Sequence, residues 1–147
     1  MVQLRGVTST VRDTNAELAA GAKLVLIEKL LTHDKQEAVS NMKIELKGED
    51  ANVQVISRSV AQDDSVQVFN PLVIGEAACH GHVQCDAIIM GNAKVKAIPG
   101  IEAASEDAQL IHEAAIGKIA GDQIVKLMTL GLTEEEAEQE IIDDFLN

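Results

Sequence analysis

Gly21-Ala22-Lys23-Leu24-Val25-Leu26 returns further along the chain as Asp50-Ala51-Asn52-Val53-Gln54-Val55. The same pattern recurs as Asn92-Ala93-Lys94-Val95-Lys96-Ala97 and Asp107-Ala108-Gln109-Leu110-Ile111-His112. Less complete copies are Ser65-Val66-Gln67-Val68 and Gly81-His82-Val83-Gln84-Cys85. Each copy opens on a turn-forming or small residue and continues as a period-2 alternation, the signature of a short strand. The apolar anchors Leu24, Val53, Val83 and Leu110 form one nearly evenly spaced series, and Val66 and Val95 a second series roughly midway between its members. A parallel β-helix needs this: two strands per winding, one for each of two stacked sheets. A sandwich of short antiparallel strands also carries frequent turn signals. It does not require the register to return at a constant interval. Segment 16–31 has a competing helical spacing in Leu18, Ala22, Leu26 and Leu30, but the repeat runs through it and favours a strand at Leu24–Ile27.

Outside the repeat the pattern changes. Gly121–Met128 places apolar residues at helical spacing, and Gly131 suits a C-terminal cap. Thr133-Glu134-Glu135-Glu136 reads as a capping box that starts a second helix carrying Ala137, Ile141 and Phe145. The expected division is a mainly β, parallel β-helix core over 1–119 and a helical cap over 120–147, with the helices covering the final coil.

Composition limits the partners. The chain has 147 residues, 46% apolar, with Phe69 and Phe145 as its aromatic residues, so Val, Ile, Leu and Ala must fill the core. A net charge of −12 opposes binding to nucleic acid or to anionic membrane surfaces. No apolar run is long enough for a transmembrane helix, and Met1–Arg5 lacks the apolar region of a secretory leader. Cytoplasmic residence is therefore expected. The two cysteines should then be free thiols or metal ligands rather than a disulfide.

Two arrangements could carry chemistry. Cys79, His80, His82 and Cys85 lie close together in sequence, and thiolate and imidazole bind zinc and iron. In a strand, however, their side chains alternate between faces and do not converge. The second arrangement follows from the repeat. Two residues after each first-series anchor come Leu26, Val55, Cys85 and His112, which predicts Cys85 and His112 as stacked neighbours in adjacent coils. Glu113 would join them if the strand ended there. The plainer alternative is a histidine bonded to backbone beside a cysteine that merely packs. No Gly-rich phosphate loop or nucleophile elbow is present.

Three blocks resemble one known family as a set. They are Gly81-His-Val-Gln-Cys85-Asp-Ala-Ile-Ile-Met90-Gly91, then Ala108-Gln-Leu-Ile-His112-Glu113-Ala-Ala-Ile-Gly117-Lys-Ile119, and then Gly121-Asp122-Gln123-Ile124 with Leu130-Gly-Leu-Thr133-Glu-Glu-Glu136-Ala137. Together they resemble the SufB/SufD family of iron–sulfur cluster assembly proteins over roughly residues 75–147. The Gln-Cys-Asp context of Cys85 is closer to the SufB branch. The resemblance implies a right-handed parallel β-helix and a non-enzymatic scaffold that holds a nascent, transient iron–sulfur cluster at Cys85, His112 and Glu113. It further implies a SufC-type ABC ATPase bound through the terminal helices, a dimer with itself or a SufB/SufD-like subunit, and apoproteins that accept the cluster. The alternatives are a structural adaptor that never touches metal, and a metal-dependent hydrolase using Cys79, His80, His82 and Cys85. No cysteine precedes Cys79.

Overall fold

The computed structural model describes residues 6–147; the leader reading of Met1–Arg5 lies outside them. Nine strands come first: β1 (Ser9–Leu18), β2 (Lys23–Thr32), β3 (Glu37–Leu46), β4 (Asn52–Ala61), β5 (Val66–Gly75), β6 (His80–Ile89), β7 (Lys94–Ala97), β8 (Gly100–Ala103) and β9 (Gln109–Gly117). Two helices follow, α1 (Gly121–Thr129) and α2 (Glu134–Leu146). One sheet runs β1-β3-β5-β7, with β8 also on β5, and the other runs β2-β4-β6-β9. Every pairing is parallel. The result is a β-helix of about four windings with a nearly constant offset from each winding to the next.

The alternation predicted from sequence builds the core. Ile44, Leu46, Val53, Val55, Val73, Val83 and Cys85 turn inward and are buried, while intervening residues face outward. Left-handed turns at the corners are supplied by Gly21, Asp34, Asp50, Asp63 and Gly91, residue types that tolerate positive φ. The repeat's opening Gly or Asp is therefore a corner residue.

The anchor series differ from expectation at two places. The structure aligns Leu24 with Val53, Val53 with Gly81, and Gly81 with Leu110. The third anchor is thus Gly81, not Val83. A search for apolar anchors passes over a glycine, yet this glycine is buried and a Cβ on it would lie 2.8 Å from Leu110 Cδ2. The side chain of Leu110 fills the space the glycine leaves. In the second series Val66 aligns with Lys94, and it is Gln67 that aligns with Val95. The inward residue there is glutamine, held by Thr32 Oγ1 and the Val60 carbonyl, which accept from its Nε2 at 2.8 and 2.9 Å.

The helical hairpin also differs from the expected cap. Its local features match: Gly131 has φ +102°, and Thr133 and Glu136 form the capping box. Its position does not. α2 packs against β4, and Val60, turned outward by the alternation, is fully buried there. Lys29 Nζ, on the outer side of β2, donates to the Asn147 carbonyl at 3.4 Å. The helices fold back along the outside of the second sheet, and the inner face of the last winding stays open. Ile101 and Ile116, which alternation turns inward, are each 43% exposed.

Candidate metal site at the open winding

β6 and β9 are hydrogen-bonded neighbours, so Cys85 and His112, distant in sequence, stand in consecutive windings. Both belong to the inward set of their strands. The register is shifted from the one expected. His112 pairs with Val83, and Cys85 pairs with Ala114. The corrected anchor at Gly81 accounts for the shift. Cys85 and His112 are therefore diagonal neighbours on one face, with Cα atoms about 8 Å apart from the strand rise and spacing.

Their environments are unlike. Cys85 is 1% exposed, and Ala114 above it contributes only a methyl group. Burial, and then the nearby Asp86 carboxylate, raise its thiol above the ordinary value. His112 is half-buried; burial first, and then His82, lower its imidazole from the ordinary value. Its Nε2 is buried without a hydrogen-bond partner, which is unusual for a buried polar atom. A neutral imidazole with an unpartnered nitrogen is the form that binds a metal.

Glu113 does not join this pair. β9 continues to Gly117, so Glu113 takes the outer face, where His82 Nε2 lies 3.3 Å from Glu113 Oε2. The local four-residue cluster is not formed either. Cys79 and Cys85 are buried inward, and His80 and His82 face outward. Among the described residues, no three of His, Cys, Asp and Glu come together as a metal site. A cleft of about 560 Å³ opens at the first winding, beside Arg12 and Glu28.

That end of the interior holds polar residues the sequence reading missed. Glu28 is buried, ion-paired with Arg12, and accepts from Ser40 Oγ at 2.8 Å and Ser57 Oγ at 3.3 Å. Parity was the signal available: Glu28 follows Leu24 and Leu26 on alternate positions. A hydrophobicity criterion discards it.

A stack of parallel windings in two sheets defines a β-solenoid protein, here with an inward cysteine and an inward histidine in its last two windings. The family model for the SUF system FeS cluster assembly SufBD core domain matches residues 2–145; the chain belongs to this family. An iron–sulfur cluster assembly SufBD family protein of Pyrococcus horikoshii is 37% identical over 103 residues, covering 69% of this chain and 23% of that protein. One from Methanothermobacter thermautotrophicus is 31% identical over 132 residues, 84% of this chain and 31% of the relative. One from Methanocaldococcus jannaschii is 36% identical over 110 residues, 74% and 35%. The chain therefore spans about a quarter to a third of the length of these relatives. The relatives it matches are iron–sulfur cluster assembly SufBD family proteins. No helix among the described residues is long and apolar enough to cross a membrane.

Proposed function

We propose that the chain is a scaffold subunit that binds a nascent iron–sulfur cluster through Cys85 of the third winding and His112 of the open last winding. The unpartnered Nε2 of His112 on the same inner face as a thiol is the observation that carries this reading. The cluster is cargo, held and passed on. Two protein ligands leave most positions on the iron to sulfide and to a second chain, so the cluster stays transferable. The second chain, another copy or a SufB/SufD-like subunit, stacks on the uncovered last winding, where Ile101 and Ile116 are exposed. The two thiols suit a reducing compartment such as the cytoplasm. Glu113 stays on the outer face with His82 and supports β9.

A SufC-type ATPase docks on α1 and α2. Val125, Met128 and Leu130 are exposed there and give it an apolar surface. Because α2 packs on β4, the hydrogen-bonded neighbour of β6, movement of the ATPase is transmitted across the sheet to the strands that carry Cys85 and His112. The scaffold itself catalyses no reaction and hands its cluster to acceptor apoproteins.

Anaerobic reconstitution with iron and sulfide tests this reading. The expected cluster absorbance is lost in Cys85→Ala, weakened in His112→Ala and retained in Cys79→Ala. Loss confined to Cys79→Ala would contradict it. A protein that binds the ATPase but takes up no iron would point to the adaptor instead.

A further inference from the structure

The inner face of the second sheet carries one continuous line of residues in register. Glu28 on β2 pairs with Ser57 on β4, and Ser57 pairs with Cys85 on β6. All three are buried. Among the nearest same-face neighbours of Cys85 in the sheet (Val83, Ala87, Ser57 and Ala114), only Ser57 carries a polar hydrogen. Neighbouring parallel strands stand about 4.8 Å apart, so its hydroxyl reaches the sulfur by rotation about χ1.

In that turn Ser57 gives up one hydrogen bond, to Glu28. Its bond to Glu28 Oε1 is long, 3.3 Å, while Glu28 Oε2 is held by Ser40 at 2.8 Å and by Arg12. Releasing Ser57 leaves the carboxylate paired. A buried thiolate that has lost its proton to a metal is itself a strong acceptor, and charge-assisted hydrogen bonds outweigh neutral ones. Hydrogen bonds to sulfur tune metal–thiolate centres.

We infer that Ser57 is a positioning residue for the metal-bound Cys85: its hydroxyl turns from the Glu28 carboxylate to the Cys85 sulfur when the sulfur becomes a ligand. This rests on the proposed role of Cys85. It adds a device one winding deeper, which couples the site to the Arg12–Glu28 pair at the opposite end of the stack.

Cobalt(II) is the probe, read by its sulfur-to-metal charge-transfer absorption. The chain has no Trp or Tyr to obscure the near-ultraviolet. Losing a hydrogen bond makes the sulfur a better electron donor, so Ser57→Ala is expected to move the band to lower energy. Cobalt affinity should fall about 2- to 12-fold, the weight of one hydrogen bond. Ser57→Thr, which keeps the hydroxyl, restores the wild-type band. Ser59→Ala, one same-face position along β4, leaves it in place. Ser57→Val, which has the shape of Thr without the hydroxyl, is expected to move the band as Ser57→Ala does, which gives a second reading should Ser57→Ala fold poorly. A band unmoved in Ser57→Ala, or in Ser57→Val, overturns the inference alone. Absence of any sulfur-to-cobalt band in the wild type overturns the inference and the proposed role of Cys85 together.

Discussion

The middle windings and the last one are built from the same repeat but treat inward residues differently. In the second and third windings Ile44, Leu46, Val53, Val55 and Val73 are all but sealed from solvent. In the last, Leu110 and His112 are half-buried and Ala114 and Ile116 are exposed. Position in the stack, rather than residue type, decides whether an inward side chain is structural or available. Each winding covers the one before it, and the helices lie along the side of the second sheet rather than over the last winding.

Glycine substitution separates the regions most sharply. A Cβ on Gly48, in the corner between β3 and β4, would overlap the backbone of Ala20. The early windings cannot yield there, so Gly48→Ala is expected to cost roughly 3 kcal/mol or more, the upper end for overpacking. On Gly81 the clashing atom is the tip of Leu110, whose last-winding position leaves it room to move. Gly81→Ala should cost about 1 kcal/mol, and less in a Gly81→Ala/Leu110→Ala double mutant. Urea unfolding followed by circular dichroism measures both. Equal losses would mean that the last winding is as rigid as the others.

Truncating a core residue gives the next contrast. Ile44→Ala should lose about 2–5 kcal/mol by cavity formation, and Ile116→Ala under about 1 kcal/mol. A large loss at Ile116 would show that something covers the open end in solution.

At the polar end, Arg12→Ala strands the Glu28 carboxylate inside the first windings. The expected loss is about 3 kcal/mol, the low end for a broken buried pair because Arg12 is partly exposed. Arg12→Lys should recover part of it. Stability unchanged in Arg12→Ala would mean that Ser40 and Ser57 suffice for the charge.

The smallest effect is a pH dependence confined to the last winding. His112 is lowered below 6.5 in the fold, so the unfolded chain binds its proton first. Its contribution is complete above the unfolded value and is lost as pH falls through that range towards the folded one. His112→Gln should flatten the stability profile on the acid side of the ordinary imidazole value. A slope that persists unchanged in the variant would assign the proton to another group.

Much of this is legible in the sequence, for identifiable reasons. The winding repeat is visible because its corners demand Gly or Asp and its strands alternate. The capping box at Thr133 is a local hydrogen-bond pattern, and it survives any tertiary context. The register is harder to read, because two inward positions are not apolar. Gly81 leaves its space to Leu110, and Gln67 is inward because a polar network receives it. Each defeats a search for hydrophobic anchors, and the first moves His112 from beside Cys85 to beside Val83. Glu113 takes the outer face because β9 runs on past it, and nothing in the sequence marks where that strand ends. Where the helices pack is a tertiary choice that their own periodicity does not specify.

Crystals grown anaerobically with iron and sulfide, and measured at the iron absorption edge, test the central claim most directly. The account predicts anomalous density bonded to Cys85 Sγ and His112 Nε2 on the inner face, between the third and last windings. Density on the outer face, between His82 and Glu113, would contradict it, as would a structure in which His112 Nε2 meets no metal.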